Sequence, residues 1–178
     1  FTYNLCVRTG AMDVIGSMIT SISSDRCLLA LLVAWCFGGF MEGMAGFGTA
    51  VAIPAGMLAG LGFEAVPAVL ICLLANGVPT PYGSIGIPTV SVAGLVGLDS
   101  LHLATVQLVQ LAPFFVVMPL FIVLVAGRVA DDQGNVASVG ERLHGVTGIA
   151  LLSGASFVGA ALVVAMFVGP ELAVVVGS

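Results

Sequence analysis

The chain has 178 residues, of which 60% are hydrophobic and only 7% are charged. Soluble domains carry about 25% charged residues, so this composition cannot cover a water-facing surface and points to a lipid surrounding. The net charge is -5 and Lys plus Arg number four, too few cations for phosphate neutralisation, which argues against nucleic acid as a partner. No charged residue lies between Glu64 and Asp99, between Asp99 and Arg128, or between Arg142 and Glu171. Those gaps are the candidate membrane segments. The chain starts without Met, Phe1 to Asn4 form no signal peptide, and both ends read as cuts in a longer protein.

Residues 10–24 place Met12, Ile15, Ile19 and Ile22 on one helical face, with Asp13, Ser17, Thr20 and Ser24 elsewhere. That pattern predicts an amphipathic helix lying at the membrane interface. Ser24 and Asp25 then offer an N-cap. The apolar run 27–41 is 15 residues long, short of the roughly 20 that a simple span needs. It meets Glu42-Gly-Met-Ala-Gly-Phe-Gly-Thr49, and a second short apolar run covers 50–62. Two short arms around a glycine-rich tip predict a re-entrant hairpin or broken helix over 26–62. Irregular backbone at membrane depth is tolerated only where protein buries it or where it lines a wet cavity.

Residues 64–75 read as a half-helix, followed over 76–88 by three prolines and three glycines. No helix continues through such a stretch. An apolar piece at 89–98 completes a broken helix spanning 64–98. Asp99 and Ser100 cap the next element, and 101–127 is long enough for a tilted span kinked at Pro113 and Pro119. Charge returns in a loop at 128–144. Residues 145–168 predict another span, rich in Gly, Ala and Ser for close packing. The expected fold class is all-α: a polytopic membrane protein with four to five embedded passes, two of them discontinuous, in one incomplete domain.

Glu42 stands out as a carboxylate between apolar runs. Charging it in lipid is costly, and intramembrane acids of this kind serve proton coupling more often than architecture. The structural alternative is an acid that bonds the tip amides or reaches headgroup water. The tip residues Gly43, Gly46, Phe47, Gly48 and Thr49 come next. A half-helix starting near Thr49 would aim N-terminal amides at the tip and could bind a small carboxylate without any basic side chain. Close packing through small-xxx-small spacing at Gly39/Gly43 and Gly56/Gly60 explains the same glycines. In the second break, Asn76, Thr80, Tyr82 and Ser84 could bond a substrate hydroxyl or carboxylate, or could satisfy backbone groups freed by the prolines. Gln107 and Gln110 either face the substrate path or pair with another helix. Cys6, Cys27, Cys36 and Cys72 match no metal, haem or redox spacing, and neither HExxH nor GxSxG occurs, so no metal, cofactor or catalytic residue is expected.

The stretch FGGFMEGMAGFGTAVAIPAGMLAGLGF at 37–63 resembles the signature F-G-A-F-x-E-G-x-A-G-F-G-[AT]-P-V-A-I of the lactate permease family. CLLANGVPTPYGSIGIP at 72–88, AGLVGLDS at 93–100, FVGPEL at 167–172 and YNLCVRTGAMDVIGSMITSIS at 3–23 continue the likeness, which covers nearly the whole chain. The resemblance implies a multi-pass symporter of a prokaryotic cell membrane that imports L-lactate, D-lactate or glycolate with a proton. It also implies an inverted-repeat fold of which this chain holds much of one half. Ala50, the 77–82 segment and Val109 depart from the family pattern around the expected site. On this reading Glu42 couples the proton, while Gly43, Gly46, Phe47, Gly48, Thr49, Asn76, Thr80, Tyr82 and Gln110 meet the substrate. A sodium-coupled carrier of another small organic anion and a non-transporting membrane subunit are the alternatives.

Overall fold

The computed structural model describes residues 9–10, 14, 17, 23, 25–46, 48–127 and 145–178. Most of the expected interfacial helix at 10–24, the loop at 128–144 and Phe47 fall outside them. The described residues form helices and turns, with no strand. We number the helices α1 Arg26–Ala45, α2 Thr49–Gly60, α3 Ala65–Gly77, α4 Gly83–Val96, α5 Ser100–Ala126, α6 Thr147–Phe167 and α7 Pro170–Gly177.

Asp25 caps α1, its carboxylate accepting the N–H groups of Cys27 at 2.7 Å and Leu28 at 3.1 Å. The helix does not end near Met41 as segment length suggests. It runs on through Glu42 to Ala45, making 20 residues and a membrane-length element. Its middle, Leu31–Phe37, is π-helical. The glycines of its last turns do not break it because a neighbour fills the space they leave: Gly39 abuts Phe157 and Ser178, and Gly43 abuts Val175. The chain turns only at Gly46 and Gly48, with φ of 57° and 89°, values that glycine adopts without the Cβ clash other residues suffer. α2 returns for 12 residues. The Arg26 guanidinium sits 5.8 Å over the Phe63 ring, so both arms end on the same side. The two helices form a hairpin, but its first arm is long enough to cross a membrane, whereas the expected re-entrant hairpin had two short arms.

The second discontinuity is also present. α3 and the Thr80–Val96 segment meet at 68°. Between them lie a 3-10 turn at Thr80–Tyr82 and three consecutive left-handed residues, Ser84, Ile85 and Gly86, with φ of 49°, 59° and 70°. Ile85 is β-branched and pays for that conformation in steric strain. The right-handed helix resumes right after this turn, and Pro88 falls in its first turn, where its missing N–H is not needed.

α5 and α6 are 27 and 21 residues long, apolar throughout, and pack lengthwise on each other. Asp99 caps α5 by accepting the His102 N–H at 2.9 Å. Pro113 and Pro119 lie inside one continuous helix. Sequence reading stopped at Val168 and missed α7, which folds back along α6 until Gly177 meets Phe157. Trp35, Phe115 and Phe157 join α1, α5 and α6, with ring centroids 4.9 to 6.1 Å apart. Cys27 Sγ approaches the Val123 carbonyl at 3.8 Å, so α1 and α5 run antiparallel. Each large aromatic buried here removes on the order of 150–250 Å² from the surroundings, and this cluster is the centre of the bundle.

Candidate functional site

Glu42 lies in the last turn of α1 with no exposed surface. Two features make room for it. Gly83 has no side chain, and a Cβ there would overlap the Glu42 carboxylate. Asn76, at the end of α3, presents its side chain to the same carboxyl. The contact is not closed into a hydrogen bond: both Glu42 oxygens and Asn76 Oδ1 are buried without a partner of hydrogen-bond geometry. Buried polar atoms left this way are rare in native proteins because each one costs on the order of 1–3 kcal/mol.

Three chain breaks meet around this carboxyl. The tip of the first hairpin touches the second break where Gly46 backs onto Ser84, whose hydroxyl donates to the Ala45 carbonyl at 3.2 Å. The second break touches a third, between α6 and α7, where Gly86 lies against the Pro170 carbonyl and the Glu171 amide. Glu171 itself folds back over Gly169 rather than toward Glu42. The α7 side chain of Val175 covers Gly43.

The expected site residues separate into groups. Glu42, Asn76 and Gly43 stand together, and Gly46 joins them through Ser84. Gly48 is exposed and Thr49 half-buried at the start of α2. The tip amides are less free than the sequence suggested. Gly46 N–H donates to the Met41 carbonyl at 3.2 Å, Thr49 N–H to Gly46 at 3.3 Å and Val51 N–H to Gly48 at 3.2 Å. Thr80 and Tyr82 are tied into the scaffold: the Thr80 hydroxyl donates to the Asn76 carbonyl at 2.8 Å, and the buried Tyr82 hydroxyl donates to the Ala104 carbonyl at 2.6 Å. The buried Thr89 hydroxyl lies 2.7 Å from the Pro81 carbonyl and 2.8 Å from the Gln107 side chain. Gln107 therefore pairs with another helix, whereas Gln110, one turn on, is exposed on α5. Sequence reasoning passed over Gly83, Thr89 and α7. A glycine among prolines carries no sign that a carboxylate will rest against it.

This arrangement defines a class: an all-helical, multi-pass membrane protein with a buried acid where broken helices meet. The chain belongs to the L-lactate permease family, whose family model matches residues 1–178. It is 41% identical over its whole length to an L-lactate permease of Streptococcus iniae and 38% identical over 97% of its length to one of Bacillus subtilis (strain 168). It is 34% identical, again over 97%, to the glycolate permease GlcA of Escherichia coli (strain K12). The chain covers 35%, 29% and 29% of those three relatives, about a third of their length. No solved structure gives a significant match.

Proposed function

We propose that this chain forms part of a secondary carrier, not an enzyme, that imports small 2-hydroxy monocarboxylates of the lactate and glycolate type together with a proton. The observation that carries this reading is the Glu42 carboxyl, fully buried with both oxygens unpartnered. An acid held this way is stable in lipid as a neutral group, and a bound anion or water would complete the bonds it lacks. Glu42 takes and releases the proton. Asn76 beside it and the exposed Gly48 end of the tip bond the substrate carboxylate or hydroxyl, while Thr80 and Tyr82 hold the second break in shape. The relatives' printed names, L-lactate permease and glycolate permease, support this substrate class.

The test is Glu42→Gln in the full-length permease, reconstituted in proteoliposomes. Glutamine keeps the shape and cannot titrate. Uptake of labelled lactate driven by a pH gradient should fall to background while lactate exchange across the membrane persists. Full gradient-driven uptake by the variant would end the coupling role. Uptake driven by a sodium gradient alone would move the coupling to sodium, and no transport by the wild type would leave a structural subunit.

A further inference from the structure

Among the described residues, four buried side-chain N or O atoms lack a hydrogen-bond partner. Three belong to Glu42 and Asn76. The fourth is Trp35 Nε1, on a residue only 2% exposed. Trp35 precedes Glu42 by seven residues on the same helix, two turns or roughly 10 Å toward the Arg26 end. Buried Trp normally finds an acceptor for its N–H. Here the ring is fixed by Phe115 and Phe157, at 6.1 and 5.2 Å between centroids, and its N–H is left unused. The indole also sits in the π-helical stretch Leu31–Phe37, where the Gly38 N–H is shared between the carbonyls of Trp35 and Val33. π-helical turns are rare and are often found at functional sites.

We propose that Trp35 is a substrate-contacting residue: its indole N–H donates to the carboxylate of the transported acid on the stretch of route between Glu42 and the Arg26 end of α1. This rests on the carrier reading above and extends it. An indole nitrogen only donates, so its complement is an acceptor. The chain has no Lys or Arg between Arg26 and Arg128, and His102 is exposed at the start of α5, so a carboxylate inside this bundle must be met by neutral donors. The rigid aromatic cluster holds the N–H in one direction, which spares the ordering entropy that a flexible donor would lose on binding. Glu42 supplies the proton site, Asn76 an amide and Trp35 a third, fixed contact along one face of α1.

Trp35→Phe in the full-length permease removes the donor and trims the indole to a phenyl ring that can still pack on Phe115 and Phe157. In proteoliposomes its KM for lactate should rise about tenfold, the loss of one hydrogen bond to a charged group. The maximal rate and the dependence on the pH gradient should stay close to wild type, while the thermal midpoint falls because of the cavity left in the core. The lactate-dependent change in tryptophan fluorescence, taken as wild type minus variant, should saturate over the concentrations that saturate uptake. An unchanged KM with no such fluorescence change overturns the proposal and would mark a packing residue only, whatever the thermal midpoint does. That outcome leaves the carrier reading standing. Absence of lactate uptake by the wild type would overturn both.

Discussion

Two polar regions lie within a few residues of each other at the second helix break, and they are built in opposite ways. Around Tyr82, Thr80 and Thr89 each side-chain hydroxyl has a partner: Ala104, Asn76 and Pro81 carbonyls, with Gln107 alongside Thr89. Around Glu42 and Asn76 the carboxyl oxygens and the amide oxygen have none. In a low-dielectric interior a satisfied network stiffens the fold, and an unsatisfied one carries a free-energy cost that a ligand can relieve. The first region holds the break in position, and the second is left available. Residue type alone does not separate them, since each contains a side-chain amide, Gln107 with its partner in one and Asn76 without one for its oxygen in the other.

The largest effect expected from perturbing this contrast is at Gly83. Gly83→Ala places a methyl group where the Glu42 carboxylate lies. Overpacking of this kind costs about 1–3 kcal/mol, and lactate uptake should fall by about tenfold or more, because the misplaced group is the proposed proton site. Thermal stability of the double variant Gly83→Ala/Glu42→Ala should recover most of that loss, since the second change removes the clashing carboxylate. Additive losses in the double-mutant cycle would show that the two residues do not interact.

Asn76→Leu comes next. It removes the amide beside Glu42, and uptake should lose about tenfold in affinity with little loss of stability, because Asn76 Oδ1 makes no bond that the fold depends on. A large drop in thermal midpoint with unchanged KM would move Asn76 into the structural region.

Tyr82→Phe reverses the pattern. Removing the hydroxyl leaves the Ala104 carbonyl without this donor, and stability should fall by about 1–2 kcal/mol with KM for lactate unchanged. Thr80→Val should give the smallest effect, below about 1 kcal/mol, since the valine retains the shape and only the bond to the Asn76 carbonyl is lost. If either change raised KM without destabilising the protein, the division between the two regions would have to be redrawn.

Much of the architecture was legible in the residues. The long spans α5 and α6, the Asp25 and Asp99 caps and both discontinuities follow from apolar run length, cap residues and the placement of Gly and Pro. The end of α1 was not legible. A run of glycines signals a break, yet Gly39 and Gly43 continue the helix because Phe157 and Val175 occupy the space beside them, and those contacts come from more than a hundred residues away. α7 was missed for a related reason: an eight-residue apolar helix is too short to stand out until packing places it between α1 and α6. At the candidate site, Glu42 was found because a charge among apolar residues is conspicuous. The tip amides looked free because local turn bonds such as Thr49 N–H to Gly46 leave no mark in composition.

The sequence by itself determined the solvent, the helical class, the two interruptions and the lone acid between apolar runs, since each depends on residue chemistry or on spacing along the chain. Only the tertiary structure decided which polar groups are left without partners. Thr80, Tyr82 and Asn76 are chemically able to bond a substrate, and what separates them is whether a carbonyl from the folded scaffold already stands within reach. The same holds for Trp35, whose indole N–H distinguishes it from a packing residue only once the fold shows that nothing has taken it.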